Sequence, residues 1–239
     1  MESFKNIKIA VISSFAEDEV LYAESKKTET HKGGPALWIT KVLEESLGCT
    51  LQIFTGEANA RVKIIRKSNE ENGSIVSVEP IILPETLGAD LFIISTISDE
   101  FNFEDIKKMH GVVALDIQGF VRKLRTNNKK LRISEQIANK VSILKGTEEE
   151  VSHVDDKFLD DQKKRILIIT KGEIGFDIFF HERKYEFIAN PISVKNTIGA
   201  GDSLFAAFAV EFLRTKDILK SGEFAKIFVE NFLKSKPNA

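Results

Sequence analysis

The chain has 239 residues, 42% of them hydrophobic and 29% charged, and its 34 basic and 36 acidic side chains leave a formal net charge of -2. That length and balance suit one α/β-sized domain with a packed core, and lack the one-signed surface expected for nucleic-acid or membrane binding. The single cysteine, Cys49, excludes an intramolecular disulfide and a cysteine-rich zinc site, and no apolar run approaches the ~20 residues of a membrane span, so a reducing, cytoplasmic setting is the expectation.

In chain order, Ile7 to Ile12 (IKIAVI) reads as a buried strand. Pro35 to Leu47 reads as a helix: Pro35 suits its first turn, Ala36, Ile39, Leu43 and Leu47 share a face, and Gly48 can end it. Leu51 to Thr55 is a strand. Arg61 to Val78 reads as a hairpin, VKIIR and SIVSV flanking the polar tip KSNEENG, and a further strand is expected within Val20 to His31. Leu91 to Thr96 is a core strand, followed by a helix near Phe103 to Met109 and the strand Val112 to Asp116. The basic run Arg122 to Arg132 reads as a solvated loop and helix face. A helix near Ser134 to Lys140, the short strand Ser142 to Leu144, and a helix starting at Thr147 come next; three glutamates in that helix's first turn suit its dipole. Ile166 to Thr170 (ILIIT) is a buried strand, FDIFF-HERK-YEFIA a hairpin, and two helices, Ser203 to Arg214 and about Glu223 to Lys234, end the chain. Alternating helices and continuous apolar strands predict an α/β fold, a mostly parallel sheet between helices. The segments near 19–32 and 61–79 break the alternation and are expected to form a small β flap.

The segment NTIGAGDSLFAAF, Asn196 to Phe208, places Gly199 and Gly201 at the mouth of a helix, just before Asp202. A helix N-terminus carries unpaired N–H groups and partial positive charge, and glycines let the backbone approach a ligand closely, so the turn suits an anion. A carboxylate repels phosphate, but it has a use if it takes the proton of a hydroxyl while the amides hold a phosphoryl group. Read without that chemistry, Asp202 is a helix cap and the glycines a tight turn.

The same segment resembles the C-terminal signature of the PfkB/ribokinase family of small-molecule kinases, usually D-T-x-G-A-G-D. Other stretches resemble family segments in the family's order: AVISSFAEDEV, which carries Asp18; HKGGPALWITKVLEESLG, with Gly33 and Gly34; LDIQGFVR; LKGTEEEV, with Glu150; and ITKGEIG, with Thr170, Gly172 and Gly175. The resemblance implies a ribokinase-like fold with a small β lid and an ATP-dependent kinase acting on a hydroxyl of a sugar, a polyol such as inositol, or a nucleoside. It makes Asp202 the base and Gly199, Ala200 and Gly201 the anion hole. Asp18, Gly33, Gly34, Gln118 and Arg122 would meet the acceptor, Thr170, Gly172, Gly175 and Thr197 the nucleotide, and Glu150 would help organise Mg2+. The lid edge could pair with a second copy as a homodimer. Three departures stand against this pattern: Asn196 replaces the signature's first aspartate, Thr147 replaces the asparagine of N-x-x-E, and the stretch from Thr55 to Arg61 is short. They leave room for a kinase fold that binds nucleotide or sugar without turnover. No G-x-x-x-x-G-K-[ST] loop is present, which excludes a P-loop kinase, and no G-x-G-x-x-G follows the first strand.

Overall fold

The computed structural model describes residues 7–67, 70–124, 129–192 and 197–236; Asn196 and the middle of the basic run, residues 125–128, lie outside the described residues. The chain opens with β1 (Lys8–Ser13), a hairpin of β2 (Ala16–Tyr22) and β3 (Lys27–Gly33), and helix α1 (Pro35–Thr40), which continues as a π-helical stretch, Lys41–Ser46. β4 (Thr50–Phe54) follows, then β5 (Ala60–Lys67), β6 (Glu70–Ser77), β7 (Leu87–Ser95) and β8 (Met109–Asp116). Short helices α2 (Gln118–Val121) and α3 (Glu135–Ala138) precede β9 (Val141–Thr147); α4 (Glu148–Ser152) and α5 (Asp156–Lys164) precede β10 (Ile166–Thr170). The hairpin β11 (Gly175–Phe180) and β12 (Arg183–Ile188) leads to α6 (Ala200–Thr215) and α7 (Ile218–Ser235).

Two sheets result. The larger runs β12-β11-β10-β9-β8-β7-β1-β4, with β10 through β4 parallel and the β11–β12 hairpin closing one edge. Its strands alternate between two cores, because side chains of a strand point to opposite faces in turn, except where the register shifts, so that Val141 and Ile143 of β9 fall in different cores. Ile9, Val11, Leu91, Ile93, Ile143 and Ile168 meet Ile39, Leu43 and the buried face of α6. Ala10, Ile12, Phe92, Ile94, Leu144 and Leu167 meet Phe120, Ile137, Val151 and Phe158 on the other side. Helices covering both faces explain why the strands read as continuous apolar runs.

The smaller sheet runs β3-β2-β5-β6. The single strand expected within Val20 to His31 is thus a hairpin of two, and the flap carries four strands rather than three. β2 reads AEDEVLY, with Ala16, Asp18 and Val20 on one face; β5 puts Ala60, Val62 and Ile64 on its matching face through parallel pairing. Residues 68–69, within the expected hairpin tip, lie outside the described residues. Phe103–Lys108 is a 3-10 rather than an α-helix, and Met109 already begins β8. The sequence reading also omitted α5. Only Phe158 and Gln162 of this helix are buried, so its apolar signal is faint, although Asp155 caps it through two amides, Lys157 at 3.1 Å and Phe158 at 3.4 Å.

Candidate active site

β1 lies between β4 and β7, so successive crossovers leave it on opposite sides. Beside such a point the loops at the carboxyl ends of the strands part, and a ligand crevice opens. Here those strand ends, the inner face of the small sheet and the start of α6 enclose a cleft of ≈ 1270 Å³. No helix among the described residues is long and apolar enough to cross a membrane.

The α6 entrance forms one end of the cleft. Ala200 N donates to Thr197 O at 3.0 Å, and helical bonding starts with Ser203 N to Gly199 O at 2.9 Å. The Ala200 amide expected in the anion hole is therefore engaged within the turn; the N–H groups of Gly201 and Asp202 precede the first helical donor and stand at the open end of the helix. Gly199 has φ +82°, and a Cβ there would lie 2.4 Å from the Trp38 ring. The left-handed turn residue is thus Gly199, whereas Gly201 already belongs to the helix and a Cβ on it would meet Lys145 Nζ at 3.3 Å. Trp38 abuts this turn: its ring stands edge-on to Phe232 at 5.7 Å, and Lys236 lies 4.7 Å above it while donating to Ile198 O.

Asp202 makes no side-chain capping bond at the start of α6. Its Oδ1 accepts from Ser95 Oγ at 3.3 Å, at the end of β7, and the residue lines the cleft. Burial is the main reason its carboxyl rises to about 6, with the Asp116 and Glu150 carboxylates adding to the effect against the Lys145 ammonium and the Ser95 hydroxyl. Lys145, at the end of β9, is 4% exposed, and its Nζ lies 2.7 Å from Oδ2 of the fully buried Asp116. Burial works against the Lys145 charge, but Asp116, Asp202 and Glu150 together hold its pKa above the usual lysine range. The other Asp116 oxygen, Oδ1, accepts from Gln118 N at 3.1 Å and so steadies the start of α2.

Glu150 and Thr147 form a capping box. Thr147 N donates to Glu150 Oε2 at 2.8 Å, and Glu150 N donates to Thr147 Oγ1 at 3.1 Å. Thr147 thus has a structural use at the place where the family pattern has asparagine. Among the described residues no group of three or more His, Cys, Asp or Glu is arranged to hold a metal.

The sequence-predicted residues converge on this cleft. Thr170, Gly172, Gly175 and Thr197 line it beyond Glu150, and Asp18, Gly34, Gln118 and Arg122 line it toward the small sheet. Gly33 does not line it but lies under Asp18: a Cβ on Gly33 would stand 2.0 Å from Asp18 Oδ2. Gly34 has φ +85°, and a Cβ there would strike Ser14 O at 2.5 Å, so only glycine lets the chain turn from β3 into Pro35. Sequence reasoning missed Lys145, Ser95 and the α7 wall of Lys226, Val229, Glu230 and Leu233. A signal existed for Lys145: a lysine two residues after Ile143 in an apolar strand shares the buried face of that isoleucine. Nothing local marked α7 as cleft-lining, because its four residues reach the cleft only through packing on α6 and the hairpin β11–β12.

Comparison with known proteins bears on the fold and the family. The uncharacterized sugar kinase PH1459 of Pyrococcus horikoshii is 28% identical over 127 residues, 51% of this chain and 41% of that protein, so the chain spans about two fifths of the curated relative it matches. A sulfate complex of a pyrophosphate-dependent kinase in the ribokinase family superposes with a TM-score of 0.75 at 18% identity, over 97% of both chains. The structure of PH1459 in complex with ATP superposes with a TM-score of 0.70 at 18% identity, over 96% of this chain and 93% of that one. The fold is ribokinase-like. The model of the pfkB family carbohydrate kinases matches residues 101–228, more than half of the sequence, and the chain belongs to that family.

Proposed function

We propose that the protein is an ATP-dependent kinase that transfers the γ-phosphoryl group to a hydroxyl of a sugar, an inositol-like polyol or a nucleoside. The observation that carries this reading is Asp202: a cleft carboxylate that caps nothing, is raised to about 6, and stands beside the open amides of α6. A base with a pKa near the operating pH combines ionisation with useful proton affinity. Asp202 takes the acceptor's hydroxyl proton as the acceptor oxygen bonds to the γ-phosphorus; the bond to the β–γ bridging oxygen breaks, and ADP leaves with its electron pair. Amides of Gly201 and Asp202 support the phosphoryl oxygens, and Thr197 and Gly199 shape the turn that presents them. Asp18 and Gln118 offer hydrogen-bonding groups to a polyhydroxy acceptor, Arg122 and Gly34 shape that end, and Gly33 leaves room for the Asp18 carboxylate.

Thr170, Gly172 and Gly175 flank the donor end, and the apolar Val229 and Leu233 beside them favour a nucleotide base over bare pyrophosphate. Glu150 suits a magnesium ion carried by the donor's phosphates, which typically needs one or two protein carboxylates and keeps several waters; the ion supplies charge neutralisation. The inner face of the small sheet, with Val62 and Ile64 in the cleft, supports its reading as a lid over the acceptor. Its edge strands, β3 and β6, are where two copies would pair as a homodimer.

Acceptor-dependent ADP release over a panel of sugars, polyols and nucleosides tests this function, with acceptor-dependent phosphate release from pyrophosphate as the parallel arm because the relative in the ribokinase family is pyrophosphate-dependent. Nucleotide binding without release on any acceptor would support the alternative, a kinase fold that binds without turnover.

A further inference from the structure

We propose that Lys145 is a built-in cation of this cleft, whose ammonium binds the phosphoryl anion presented to the open end of α6. The proposal rests on the phosphoryl-transfer reading of the same site. Lysine is seldom buried, and among the described residues Lys145 is the lysine counted in the buried core. Strand alternation places it on the same face as Ile143, toward α6, and its Nζ reaches the space in front of Gly201. Gly201 is helical and has no left-handed φ, so backbone conformation does not demand glycine there. The ammonium is what a side chain there would meet: a Cβ would stand 3.3 Å from Nζ, a tight contact that would press on the cation.

Neutralising Asp116 is not the whole of its role. A lysine serving only that purpose could be sealed in the core, whereas Lys145 pairs with Asp116 and still lines the cleft. Asp116, Asp202 and Glu150 all act on this ammonium, so a phosphoryl group arriving at α6 would face three carboxylates without it. With Lys145 between them, the anion meets a hydrogen-bonding ammonium on one side and amides on the other. Asp116 positions the cation by holding Nζ with Oδ2, and through Oδ1 it ties the same unit to Gln118 at the acceptor end.

The test is sulfate binding in EDTA with neither nucleotide nor acceptor present. It is read by calorimetry and by the fluorescence of Trp38, the chain's single tryptophan, which abuts the Gly199 turn. Lys145→Met alone strands the buried Asp116 charge, so the paired variant Lys145→Met/Asp116→Asn is the main comparison. A charge-assisted hydrogen bond predicts a loss of about tenfold or more in sulfate affinity. In the unmodified protein, the Lys145 ammonium resonance should also shift when sulfate is added. Unchanged sulfate affinity in a folded paired variant, or an unmoved resonance at saturating sulfate, would overturn the proposal. The outcomes separate the two ideas: Lys145-dependent sulfate binding without turnover on any acceptor sinks the kinase reading alone. Full acceptor-dependent turnover in the paired variant sinks the Lys145 proposal alone.

Discussion

Replacing Asp202 by Asn removes a charge that the fold holds against its tendency to stay in water. A carboxyl raised from 3.8 to about 6 is disfavoured as an anion by about 3 kcal/mol when the change is fully realised, at ~1.36 kcal/mol per pH unit. Because Asp202 keeps an edge on the cleft, water screens part of this, and about 1–3 kcal/mol is the expected gain for Asp202→Asn at pH 7. The sign follows from proton binding. Between pH ~4 and ~6 the folded chain holds this proton and the unfolded chain has lost it, so the wild type loses stability as pH rises through that window. Asp202→Asn should match the wild type near pH 4 and exceed it above pH 6, by roughly 2–4 °C in Tm per kcal/mol for a chain of this size. Its turnover should fall by about 10²–10⁴ with the loss of the base, while ATP affinity is retained. Urea melts at pH 4 and 7, paired with acceptor-dependent ADP release, measure both effects. Equal or lower stability at pH 7, or turnover that survives the substitution, would refute the argument and return Asp202 to a structural role.

In the wild type, kcat/KM should rise with pH through an apparent pKa of about 6, and a rate flat from pH 5 to 8 would remove Asp202 as the titrating base. Gly199→Ala combines a left-handed φ with a 2.4 Å approach to Trp38, so urea unfolding should show a loss of about 2–4 kcal/mol, with a shifted tryptophan emission. Thr147→Ala breaks the capping box and should cost about 1 kcal/mol in the same assay. Replacing the hairpin from Arg61 to Val78 by a short Gly/Ser turn should leave the large sheet folded and raise ATP hydrolysis relative to transfer; global unfolding would place the hairpin in the core instead.

Local pattern accounts for much of the architecture. The parallel strands were legible because a sheet covered on both faces demands unbroken apolar runs, as in LFIIS and ILIIT. The α6 entrance was legible as a glycine turn into an apolar helix, but the same spacing also reads as a capped tight turn, and the resemblance to the family signature pointed to the anion-binding use. The second strand of the first flap hairpin was not: β3 reads KTETHKG, and every residue but Gly33 keeps substantial contact with solvent, so no apolar alternation marks it.

The sequence by itself determined the fold class, the order of the core strands and the long helices, and part of the set of residues that line the cleft, since these depend on periodicity and on motifs read along the chain. Only the tertiary structure decided what those residues do to one another. Gly199, not Gly201, takes the strained turn; Ala200's amide is engaged; Asp202 is a raised carboxyl and not a cap; and Lys145 meets Asp116 across 29 positions of sequence. Burial, dielectric and charge pairing depend on distances through space, and those exist only once β7, β8, β9 and α6 have packed.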